Sequence, residues 1–209
     1  SVNKKNTATA VFFLFSFFFI YSGKDDNGTL EGEPQDIVDE DHQLLDDRYG
    51  ITAVFPKGEW SNSYIDCLPQ DINYKEYQYS AIVAGLYADS LMVDGIPNYP
   101  TTIYFMRFHN ELDPAQYENF VLDYKDNFYD AFVGRFFYEI SQVTDTTLAD
   151  YPAKRFIADR GIDKGDGYEE VFLMYHNKTT YGVTIVTSDK NHEESYPKCA
   201  DIVSTVKLK

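Results

Sequence analysis

The sequence predicts an α+β domain, a central antiparallel β-sheet flanked by helices. Three observations carry that prediction. Asp113-Pro114 is a helix start, and Tyr117, Phe120, Val121, Tyr124, Phe128 and Phe132 follow it at helical spacing. Four segments of period two come next, joined by short links that favour antiparallel neighbours. A last apolar stripe, Cys199, Ile202, Val203 and Val206, sits at i, i+3, i+4 and i+7. Helical stripes of this kind need a sheet face to cover.

In chain order, residues 1–23 read as a signal or anchor segment. Lys4 and Lys5 form a short positive start. Ala10 to Tyr21 then has Ser16 as its one polar interruption and is half phenylalanine. A helix of that length spans about 18 Å, short of a hydrocarbon core of roughly 30 Å, as a secretory signal does. Ser22-Gly23-Lys24-Asp25-Asp26 looks like the start of a mature bacterial lipoprotein, but no cysteine stands near Ser22. Cleavage and retention as an anchor both stay open. Residues 24–47 hold ten carboxylates against one base, Lys24, and read as an acidic, self-repelling flexible linker. The single globular domain is expected over residues 48–209.

Within that domain Tyr49 to Phe55 is a short β-type run ending at the turn Pro56-Lys57-Gly58. Glu59 to Gln78 is polar, tyrosine-rich and irregular. Tyr79 to Asp89 reads as a strand with a bulge at Gly85, and Asp94 to Pro100 as a Gly/Pro loop. Thr101 to His109 reads as a strand from its β-branched and aromatic residues. The long helix ends at Gly134. Phe136–Val143, Tyr151–Asp159, Glu169–His176 and Tyr181–Thr187 are the four strands. Asp145-Thr146-Thr147, Gly161 to Gly167 and Asn177-Lys178 are the turns between them. The closing helix starts near Ser195.

Composition narrows the function classes. The chain has 209 residues, is 44% hydrophobic and 17% aromatic, and so can bury a real core. Its net charge of −16 argues against a nucleic-acid partner. Two cysteines are too few for a disulfide-built miniature fold or a four-thiolate zinc site.

Three stretches resemble the Mog1/PsbP-like superfamily, with its bacterial exported and lipoprotein-type members of unknown function. They are Tyr49-Gly50-Ile51-Thr52-Ala53-Val54-Phe55-Pro56, Leu148 to Phe156 with its Tyr151-Pro152-Ala153, and the hairpin Tyr168 to Val186 followed by Tyr196 to Val206. The resemblance covers residues 49 to 206. It implies an α/β/α sandwich and a mostly non-enzymatic membership. Of the roles of known members, nuclear GTPase binding does not suit the acidic linker and export signal, the photosynthetic role has no matching residues here, and fold does not fix function.

No catalytic motif stands out. His42, His109, His176 and His192 form no metal-binding spacing, although His109 and His176 fall at strand ends that could approach. Ser188-Asp189 with His192 suggests a triad, but no nucleophile elbow surrounds any serine. Asp159, Asp163, Asp166 and Glu169 crowd one glycine-bearing loop and could hold calcium weakly, though their spacing misses the EF-hand pattern. Plain turn chemistry explains the same residues. Cys67 and Cys199 form either a disulfide, worth about 4–5 kcal/mol in the chain-entropy account, or a pair of thiols with Cys199 simply buried. Tyr64, Tyr74, Tyr77 and Tyr79 cluster where exposed rings could grip a protein, or could pack inward. The expected function is a non-enzymatic, extracytoplasmic, membrane-tethered accessory or protein-binding module. Its partner would be another protein of a bacterial cell envelope, with membrane contact only through the N-terminal segment and no cofactor. The alternatives are an envelope hydrolase using carboxylates between Asp163 and Glu170, and a weak divalent-cation binder.

Overall fold

A computed structural model describes residues 36–37, 41–67, 78–86, 92–93, 96–97, 101–129, 139–159 and 167–209. The segment 1–23, most of the acidic stretch, Tyr74, Tyr77, Asp163 and Asp166 lie outside the described residues, as do the side chains of Tyr64 and Cys67.

The chain opens with β1 (Asp36–Ile37), β2 (His42–Leu44), β3 (Ile51–Thr52), β4 (Val54–Pro56) and β5 (Trp60–Cys67). Next come β6 (Tyr79–Leu86), β7 (Met92–Val93), β8 (Ile96–Pro97) and β9 (Thr102–Glu111). Helix α1 (Pro114–Asp123) runs into a π-helical turn, Tyr124–Tyr129. Then follow β10 (Glu139–Ile140), β11 (Thr144–Leu148), β12 (Tyr151–Asp159), β13 (Gly167–His176) and β14 (Thr179–Ser188). Helix α2 (Asp189–Val203) and β15 (Lys207–Leu208) close the chain.

The principal sheet has eight strands in the order β10-β12-β13-β14-β9-β6-β5, with β11 also on β12. Every neighbouring pair in it is antiparallel. Residues directly opposite one another share a face, so the strand register sorts the core. Ile82, Phe105, Val183 and Phe172 form one row on one face. Cys199, Ile202 and Val203 of α2 belong to the same apolar cluster. Their neighbours in sequence, Ala81, Met106, Leu173 and Val171, point to the other face and cluster with Tyr117, Val121 and Tyr124. The molecule is thus broadly α+β.

Local chemistry explains the best-formed elements. Asp113 caps α1: its carboxylate accepts from the Gln116 amide at 2.8 Å, and the Gln116 side chain accepts from the Asp113 amide at 2.8 Å. That reciprocal pair, with Pro114 at the first helical position, fixes the helix start. Asn177 and Lys178 both take positive φ (49° and 64°), the two-residue turn whose twist matches the β13–β14 hairpin. Gly182 lets β14 pass close to β9, since a Cβ there would stand 2.8 Å from the Met106 methyl.

Five expectations are corrected. Residues Trp60–Cys67, expected to be irregular, form an eight-residue strand paired with β6. Their polar side chains hid a strand from a hydrophobicity pattern. Asp145-Thr146-Thr147, expected as a turn, lies inside β11, and the turn falls at Ala149-Asp150 instead, with φ of 45° and 69°. Helix α2 begins six residues before Ser195, because Pro197, which suits the first turn of a helix, here stands in its interior. The acidic linker also ends early. His42–Leu44 pairs with β4, and Leu45 is 1% exposed in the core. Gly85 stays in register with Ser61 and Thr102, without a bulge. Among the described residues, no helix is long and apolar enough to cross a membrane.

Candidate functional site

Glu170 is the one charged side chain fully buried among the described residues, at 1% exposure. It stands on β13 opposite Ile185 and Ile157, on the face that α2 covers. Burying a lone carboxylate is very unfavourable, so partners are required. Arg155 of β12 donates its Nε–H to Glu170 Oε1, and Tyr196 of α2 donates its phenol to Oε2. Both carboxylate oxygens are therefore engaged.

An aromatic wall closes the cluster. The Tyr168 and His192 rings lie 4.6 Å apart, and His192 and Tyr196 4.9 Å apart. The Tyr168 ring meets Tyr196 edge-on at 6.5 Å. His192 Nδ1 is 2.8 Å from the Thr187 hydroxyl, and Thr187 is itself buried. The electrostatics follow from this packing. Burial, and then the hydrogen bond to Glu170, push the Tyr196 phenol well above its ordinary value. Burial and the Glu170 charge raise Tyr168 as well. Burial lowers the Arg155 guanidinium, but the hydrogen bond and charge of Glu170 outweigh it and the net shift is upward.

The chemistry open to this set is limited. A general base must reach a substrate proton, and a nucleophile needs a base beside it. Glu170 spends both oxygens on Arg155 and Tyr196, and a phenol with a raised pKa is a poor acid near neutrality. The arrangement is a cross-tie between β12, β13 and α2.

The sequence-derived candidates fall as follows. Asp159 lies opposite Tyr168, and Glu169 lies opposite Ala158. The first thus shares the face of Glu170 and the second the opposite face, so these two carboxylates do not converge on one ion. Asp163 and Asp166 are outside the described residues. Among the described residues no three His, Cys, Asp or Glu side chains gather as metal ligands would. His109 bonds the Ser80 hydroxyl at 2.9 Å, while His176 meets Asn177 at 3.0 Å and the Tyr151 ring at 5.6 Å. Each histidine thus has its own partners. His192 faces Thr187 within the described residues, while the Ser188 side chain lies outside them. Tyr79 is half-buried, packs on Phe108 at 5.6 Å and joins the core of the α1 face. Cys199 is fully buried on the inner face of α2; the choice between a disulfide with Cys67 and a pair of thiols falls on a Cys67 side chain outside the described residues. Glu170 and Arg155 went unnoticed as a pair. The signal was parity: Glu170 falls in step with Phe172 and Met174, and Arg155 with Ala153, all core positions.

No family model and no curated protein matches the chain. Similar solved structures include the cyanobacterial PsbP of Synechocystis sp. PCC 6803, at 10% identity and a TM-score of 0.45, covering 86% of this chain and 99% of that one. A Pseudomonas aeruginosa protein of unknown function, PA94, is 11% identical with a TM-score of 0.43, over 80% of this chain and 97% of that one. LpqN of Mycobacterium tuberculosis, which is involved in cell envelope biogenesis, is 13% identical with a TM-score of 0.38, over 85% of this chain and 99% of that one.

Proposed function

We propose that this chain is a non-enzymatic, extracytoplasmic accessory or protein-binding module. It is tethered to a bacterial cell envelope through residues 1–23 and held off the membrane by the acidic stretch that follows. The Mog1/PsbP-like reading carries with it a sandwich in which helices serve as covers for the sheet. One observation supports the non-catalytic reading above all: the buried carboxylate Glu170 has both oxygens committed to Arg155 and Tyr196. The sequence order supports the location: an apolar run of signal length, then ten acids, then a folded domain. The tyrosine-rich segment around Tyr64, Tyr74 and Tyr77 is the proposed contact surface, because exposed tyrosines anchor protein interfaces.

Cell fractionation of the full-length chain tests the location. The protein is expected with the envelope, and recovery from the cytoplasm overturns the tether. Substituting Glu170→Gln in the full chain tests the non-catalytic reading. Partner capture is expected to survive in proportion to folded protein. A hydrolytic activity on envelope polymers that disappears with Glu170→Gln, while the fold is kept, overturns it.

A further inference from the structure

Helix α2 is built in two parts. Pro197 stands in its interior, so the i→i−4 bond from residue 197 to the Glu193 carbonyl is missing. Before Pro197, the contacts with the sheet are polar or aromatic. Tyr196 donates to Glu170, His192 meets Thr187 at 2.8 Å, and the His192 ring lies on Tyr168 at 4.6 Å. After Pro197, the contacts are aliphatic. Cys199, Ile202 and Val203 are each 3% exposed or less within the main core cluster. Buried aliphatic groups hold an element more firmly than hydrogen bonds that water can replace. Glu170 also has a partner that does not belong to α2, since Arg155 of β12 donates to its other carboxylate oxygen.

We propose that Asp189–Tyr196 is a hinged flap, opening about Pro197 while the second half of α2 stays docked. The Tyr196–Glu170 bond is its latch and His192–Thr187 a second catch. Three helical bonds cross the hinge, from the amides of Lys198, Cys199 and Ala200, where an uninterrupted helix would have four. Opening uncovers Tyr168, Glu170 and Arg155 together, a tyrosine beside an ion pair. Such a surface suits protein recognition. The inference concerns motion within α2 and stands apart from the proposed envelope role.

Hydrogen exchange on the full chain, read by mass spectrometry, tests it. The amides of Glu193–Tyr196 report the flap, and those of Asp201–Ser204 report the docked half. The flap amides are expected to exchange at least about tenfold faster than the docked ones. Tyr196→Phe removes the latch and should speed the flap about tenfold while leaving Asp201–Ser204 unchanged. Pro197→Ala restores the missing bond and should slow the flap. Equal protection of the two halves in the unmodified chain overturns the proposal. So does Tyr196→Phe speeding both halves together, which would show α2 leaving as one unit. If Pro197→Ala does not fold, Thr187→Val, which removes the second catch, gives the same separation of outcomes.

Discussion

Glu170 shows how one residue can look exposed in sequence and be the least exposed charge among the described residues. A glutamate between Tyr168 and Phe172 resembles the polar side of a half-buried strand, and it was its carboxyl neighbours that drew attention. Its parity with Phe172 and Met174 places it inward, where only a preformed donor pair makes a carboxylate tolerable. Glu170→Ala leaves Arg155 and Tyr196 without their acceptor. It should lower unfolding free energy by about 3 kcal/mol in urea titration, less than for a wholly buried pair because Arg155 is 35% exposed. Glu170→Gln keeps an acceptor and should cost less. Tyr117, which donates to the Leu173 carbonyl at 2.7 Å, is raised chiefly by burial, as are Tyr168 and Tyr196. The sign is set by linkage. A folded-state pKa above the unfolded value of 10.0 gives stability that is fully present below that pH and lost as the pH rises through the folded value. Urea midpoints should therefore fall as the pH climbs past about 10, and tyrosinate absorbance of Tyr117, which lies outside the flap, should appear together with unfolding.

Elements were legible where a local rule and the global pattern agreed. The Asp113-Pro114 start of α1 is an example, since cap, proline and apolar spacing all point to one helix. The strands β6, β9, β12, β13 and β14 were also legible, because each carries apolar residues on both faces and β-branched or aromatic residues recur along them. Strand β5 was not, because Ser61, Asn62 and Ser63 carry turn chemistry and only the pairing with β6 makes them a strand. Strand β11 was hidden likewise. Thr144 to Thr147 are outward polar residues on the hairpin, and the turn that follows uses Ala149 and Asp150, neither a glycine. That turn makes an element-scale prediction. Substituting Ala149→Asn with Asp150→Gly supplies residues that accept positive φ, and should raise stability by about 0.5–1 kcal/mol in thermal melts. Lys154 binds the same hairpin to α1, bridging Asp145 and Glu118 at 2.8 Å each. Those bonds, Asp145 first, raise its pKa, so their contribution is full below the ordinary value of 10.5 and is lost only as pH climbs past the folded value.

At the scale of the molecule the two ends of the described chain meet. Leu45 accepts the Thr52 hydroxyl at 2.7 Å and packs in the core, while β15 pairs with β3. The Lys209 amide donates to the Gly50 carbonyl at 3.0 Å, and Lys209 also pairs with Asp47. Gly50 has φ of 75° and lies so close to the Tyr181 hydroxyl that a Cβ would stand 3.2 Å away. The fold therefore takes in the end of the acidic stretch. Composition could not reveal that boundary, because acids flank the apolar pair Leu44 and Leu45. Leu45→Ala should cost about 2–4 kcal/mol in urea titration, as for a core leucine and unlike a linker residue. In the proposed reading this molecule works by binding and its buried carboxylate is structural. Its most direct test is affinity capture by the full-length chain from envelope extract, with the Glu170→Gln and Tyr74→Ala/Tyr77→Ala variants run beside it. One protein should be retained reproducibly by the unmodified chain and by Glu170→Gln, and lost with the tyrosine pair. Retention of nothing, or equal retention by the tyrosine variant, would contradict it.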